Sequence, residues 1–164
     1  MGADPARVAM AENLHRELES ANLLLDVLRE EQERLLSSGV SGLEEIVTRK
    51  AELLVQLNGY TQYRHDSLSL EGHEPTLRGM KTWLESDATK PDIIGIEKDW
   101  NELLEVTRSA KELNRLNGML ISSHLAKNQQ ALSILRGGRH DTGIYGPDGQ
   151  PSRSATPVRS VITG

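Results

Sequence analysis

Leu14, Leu18, Ala21, Leu25, Leu28 and Leu35 recur along the chain at steps of three and four, with Gln32 as the polar interruption. That spacing sets the aliphatic side chains in one stripe and predicts an amphipathic helix from about Ala6 to Ser37. Residues 6–74 and 92–146 hold no proline. Both windows can therefore carry long helices, because an interior proline removes a hydrogen bond and clashes with the preceding turn. Gly39 breaks the first pattern, and Ser41-Gly42-Leu43-Glu44 has the spacing of a capping box, so a second helix is expected from there. Leu43, Ile46, Val47, Leu53, Leu54, Leu57 and Tyr60 give it an apolar face. Asn58-Gly59 would suit a hairpin turn, but the flanking period stays helical and carries the prediction through to about Leu70. Glu12 with Arg16, Glu30 with Arg34 and Glu45 with Arg49 lie four apart with the acid first, the favourable order on a solvated helix face.

Glu71-Gly72-His73-Glu74-Pro75 closes the second helix. A shorter one follows, marked by Leu77, Met80, Trp83 and Leu84, and Pro91 ends that piece. From Asp92 to Arg136 runs the longest predicted helix, about 65 Å at 1.5 Å per residue, with Gly137-Gly138 as its stop. Residues 137–164 hold six of the 14 glycines and three of the six prolines. So few side chains there can bury area that a flexible tail is expected. The division is a helical domain over residues 1–136 and a tail over 137–164. The fold class is all-α: long antiparallel helices in an elongated bundle or coiled-coil hairpin.

Composition changes this picture mainly by exclusion. Leu occurs 24 times, Val and Ile together 16 times, Phe never, and the aromatics are two Trp and three Tyr. A sandwich or barrel would draw more heavily on β-branched and aromatic residues. With 19 Lys and Arg against 24 Asp and Glu, the net charge is −5. Nucleic acid is not an expected partner, since its binders present basic stripes and, for single strands, aromatic platforms. No apolar run is long enough for membrane insertion, and the start of the chain lacks the features of a signal peptide, so a cytoplasmic location is expected.

Chemistry finds little to work with. The chain has no cysteine, hence no disulfide, thiolate nucleophile or thiolate metal site. Glu12 and His15 fit the Glu-x-x-His spacing of carboxylate-bridged metal centres, but such a centre needs a second pair and two further inward glutamates. His65, Asp66, Glu71 and His73 cluster in sequence without metal-motif spacing. Neither a Gly-x-Ser-x-Gly elbow nor a phosphate-binding loop is present. No enzyme activity, cofactor or metal is expected.

The last helix differs from the others. Asn114, Asn117, Ile121, His124, Asn128 and Leu132 fall at steps of three and four, and Leu113, Leu116, Leu120 and Lys127 form the neighbouring stripe. Such a mixture of amides and aliphatics suits either a groove for another chain or a face turned to water. Gly118 sits inside this helix, where glycine costs about 1 kcal/mol against alanine. It points to a close backbone approach, a local bend, or simple tolerance.

Three segments carry a resemblance: Leu113-Asn114 to Leu120-Ile121, then Asn128-Gln129-Gln130-Ala131-Leu132 with Leu135, then Tyr145-Gly146-Pro147-Asp148-Gly149-Gln150. Together they resemble the C-terminal signature of the FlgN family, flagellar export chaperones for the hook-filament junction proteins. The resemblance implies an all-helical cytoplasmic protein. It would bind the hook-associated proteins FlgK and FlgL, keep them from assembling early, and deliver them to the flagellar type III export gate. It also implies substrate contact through Leu113, Asn117, Gly118, Leu120, Ile121, Leu125, Asn128, Leu132 and Leu135, and export-gate docking through Tyr145. Residues after Gln150 have no assigned role. The competing reading is a coiled-coil adaptor that self-associates through the Leu14–Leu35 seam and has no role in secretion; the sequence leaves monomer or homodimer open.

Overall fold

A computed structural model describes residues 4–37, 42–86 and 93–137, apart from the side chains of residues 93 and 94. Four helices account for most of them: α1 (Pro5–Leu36), α2 (Leu43–Leu70), α3 (Leu77–Glu85) and α4 (Ile93–Gly137). The all-α class is as predicted, with no strand among the described residues. Two compact units divide the chain, Met1–Ser122 and Ser123–Gly164.

Within the first unit α1 is the central helix. Contacts fix the directions of its neighbours. Arg49 of α2 bonds Glu30 and Arg64 bonds Glu17, so α2 runs antiparallel to α1. His15 meets Asp99 while Leu28 meets Asn117, so α4 runs parallel to α1. Flanked on two sides, α1 buries more than one stripe. Met10, Leu14, Leu18 and Ala21 join Leu68 of α2, Met80, Trp83 and Leu84 of α3, and Ile96, Trp100 and Leu103 of α4 in one core. A second core gathers Leu24, Leu25 and Leu28 with Ala110. At about 1.5–3 kcal/mol for each fully buried large aliphatic side chain, these clusters supply the main drive for folding. The seam predicted for self-association is thus spent inside the chain, with each of its apolar members buried.

Local chemistry sets the helix ends. Asp4 Oδ1 accepts from the Ala6 N–H, and Pro5 takes the first helical position, where its missing N–H costs nothing. α2 ends with Gly72 at φ 80°, a left-handed conformation favoured by glycine. That turn lets the His73 N–H reach the Leu68 carbonyl at 2.8 Å and the Gly72 N–H reach Ser69 at 3.1 Å, closing two free carbonyls. Thr76 caps α3 by accepting from the Gly79 N–H. A Cβ on Gly79 would collide with the Glu74 carbonyl, so glycine lets α3 fold tightly against the preceding turn.

Gly42 is the residue before α2, and Ser41 of the expected capping box lies outside the described residues. One local expectation needs correcting. Arg49 does not pair with Glu45 on its own helix; it reaches across to Glu30 at 2.8 Å, and that hydrogen bond holds the Glu30 carboxyl below the usual carboxylate range. Glu30 also keeps its predicted partner Arg34. Asn58-Gly59 stays helical, as expected, and Asn13 of α1 donates to the adjacent Tyr60 carbonyl at 3.0 Å, tying α2 to α1 beside its weakest residue.

Candidate functional site

The residues singled out on α4 divide by burial. In the first unit, Leu113 is half-buried against the second core, Leu120 is half-buried, and Ile121 is exposed. Asn117 lies inside the bundle at 1% exposure. Its Nδ2 donates to the Leu28 carbonyl at 2.8 Å and to Glu31 Oε2 at 2.9 Å, so the amide already serves the α1–α4 interface. Among the described residues Gly118 has no neighbour that a Cβ would touch, so none of them gives close packing as its reason. In the second unit, Leu125, Leu132, Ile134 and Leu135 are exposed large aliphatics, and Asn128 is exposed beside them. Gly137, the first residue of the tail expected over 137–164, still belongs to α4; residues 138–164, Tyr145 among them, lie outside the described residues.

Buried charge in α1 was not legible from the leucine pattern. Glu17 accepts two hydrogen bonds from the Arg64 guanidinium at 2.9 Å and one from the Thr61 hydroxyl at 2.8 Å. Arg64 also stacks 4.9 Å over Trp100 of α4, so one ion pair locks three helices. Glu31 takes a bond from Lys50 at 2.8 Å as well as the one from Asn117. A signal was available: Glu17 and Glu31 fall on the same turns as Leu14, Leu18 and Leu28, where a carboxylate must be paired if it is to be buried. His15 and Glu12 do not form the considered metal pair; His15 bonds Asp99 at 3.1 Å and approaches Glu19 at 3.6 Å. Among the described residues no three carboxylates and imidazoles converge on a metal position.

Between α2 and α4 lies a groove of about 750 Å³, floored by α1. Ala21, Leu24 and Leu28 form the floor, Leu54 and Leu57 line one wall, and Leu103 and Leu104 line the other. Leu54 is 51% exposed although it belongs to the predicted apolar face of α2. The sequence pattern counted these leucines as core because a periodic stripe does not reveal whether its partner helix belongs to the same chain.

No helix among the described residues is long and apolar enough to cross a membrane. The profile of the family described as FlgN protein matches residues 7–153. A flagella synthesis protein FlgN from Proteus mirabilis is 28% identical over 93% of this chain and 96% of its own length. Its namesake from Salmonella typhimurium is 30% identical over 81% and 83%. A crystal structure of a flagella synthesis protein FlgN from Pseudomonas aeruginosa superposes with a TM-score of 0.62. It covers 82% of this chain and 99% of its own at 21% identity, a likeness of fold.

Proposed function

The chain belongs to the FlgN family, and from that premise we propose that it is a non-enzymatic, cytoplasmic export chaperone. It binds the hook-associated proteins FlgK and FlgL, prevents their premature assembly, and hands them to the flagellar type III export gate. The observation that carries this reading is the exposed aliphatic stripe of Leu125, Leu132 and Leu135 in the last turns of α4. Single exposed leucines are ordinary, but these three fall within about 80° of one another around the helix and form an apolar patch of the kind that marks an interaction site, while Ile134 lies on the opposite face. An amphipathic helix of a client would bury it.

Replacing Leu125 and Leu132 with Glu places two charges on that patch without touching the core. Binding of FlgK and FlgL is expected to weaken tenfold or more in a pull-down or titration, with the helical circular dichroism unchanged. Undiminished binding would remove the patch as the client site. Tyr145→Ala is expected to leave client binding intact and to lower secretion of both proteins from cells. Loss of both would put the tail in the client site instead.

A further inference from the structure

The groove between α2 and α4 is a second surface, separate from the patch at the end of α4. We propose that it docks one amphipathic helix of a partner protein whose polar flanks are acidic. Its lining follows helix periodicity on all three sides: Ala21, Leu24 and Leu28 from α1, Leu54 and Leu57 from α2, and Trp100, Leu103 and Thr107 from α4. Three helices arranged this way leave the place of a fourth. The lining runs along α4 from Trp100 to Asn114, about 21 Å at 1.5 Å per residue, or four turns of an incoming helix. That elongated apolar bed fits a helix better than a compact small molecule.

Charge selects the partner. Among the groove-lining residues Glu17 is the one carboxylate, and it is already bonded to Arg64. Lys50 is likewise bonded to Glu31, leaving two neutral pairs at the α1–α2 side. On the α4 wall stand Arg108 and Lys111. Arg108 is held by Glu105 of its own helix, with 73% of its side chain exposed, so an incoming carboxylate can compete for it. Lys111 makes no ion pair among the described residues. In a chain of net charge −5, the groove therefore offers cations along one edge and no free anion. An acid-flanked helix gains there what a basic-flanked one loses.

The test uses the full chain and two synthetic 14-residue amphipathic helices with the same leucine seam, one flanked by Glu and the other by Lys. Both carry a fluorophore for anisotropy. The Glu-flanked peptide is expected to bind at least tenfold more tightly, with the preference shrinking as salt rises. The double variant Arg108→Glu with Lys111→Glu should reverse the order. Leu54→Asp, on the half-exposed wall, should abolish binding of both peptides while helicity is kept. Leu125→Glu with Leu132→Glu should leave peptide binding unchanged, which separates this groove from the client site proposed above. Equal affinity for the two peptides, or no effect of Leu54→Asp, would overturn the proposal. So would light scattering that shows a dimer lost in Leu54→Asp, because a second copy would then fill the groove.

Discussion

Glu17→Ala is expected to destabilise the protein by about 3–5 kcal/mol, the cost of leaving one partner of a buried ion pair uncompensated. Arg64 keeps 8% of its side-chain surface exposed and Glu17 keeps 4%, so water cannot take over the lost bonds. Removing the carboxylate also orphans the Thr61 hydroxyl and leaves the guanidinium over Trp100 as the remaining contact. Urea unfolding followed by circular dichroism should show the midpoint falling by roughly 1–5 M for a slope of 1–3 kcal/mol/M. The informative partner is the double variant Glu17→Leu with Arg64→Met. Replacing both charges by apolar groups of similar size should restore most of the loss, because the pair bears its own desolvation cost. A Glu17→Ala midpoint within experimental error of the parent would mean that the pair does not lock α1 to α2.

Trp83→Ala is the second large effect, expected at about 3–5 kcal/mol for a buried aromatic deleted from a packed core. Trp83 is fully buried where α1, α2, α3 and α4 converge. Its indole N–H donates to Glu71 at 2.7 Å, and the Arg7 guanidinium lies 4.6 Å over the ring. Truncation therefore opens a cavity, frees a carboxylate and removes a cation–π contact at once. Trp83→Phe separates these contributions by keeping most of the volume while losing the N–H. It should cost about 1 kcal/mol beyond the lost ring area, the worth of one hydrogen bond. Equal losses for the two variants would assign the stability to the Glu71 bond rather than to packing.

Much of the architecture was legible because leucine periodicity and proline placement are local signals. The end of α2 at Leu70 and the short helix carrying Trp83 were both read from the residues alone. What local signals could not show was which faces meet. Leu54 and Val47 belong to the predicted apolar face and stand half exposed, whereas Glu17 and Glu31, which the leucine pattern did not single out, are buried. The deciding information is the partner across the interface, Arg64, Lys50 or Asn117, tens of residues away. The candidate site divided for the same reason. Asn117 reads as a neighbour of Ile121 and Asn128 on the helix wheel, yet only its environment shows that it bonds inward to Leu28.

That inward bond also orders the assembly of the molecule in time. Lys50 meets Glu31 across 19 residues, while Asn117 meets Leu28 across 89. Closing the longer loop costs about 1.4 kcal/mol more in chain entropy, and it must wait for a later stretch of the polypeptide. On that cost the α1–α2 hairpin is expected to form first and α4 to dock onto it last. The expected first partial opening is the reverse step. It releases the stretch of α4 around Asn117, leaves Glu31 with Lys50, and uncovers Leu28 before the hairpin itself comes apart.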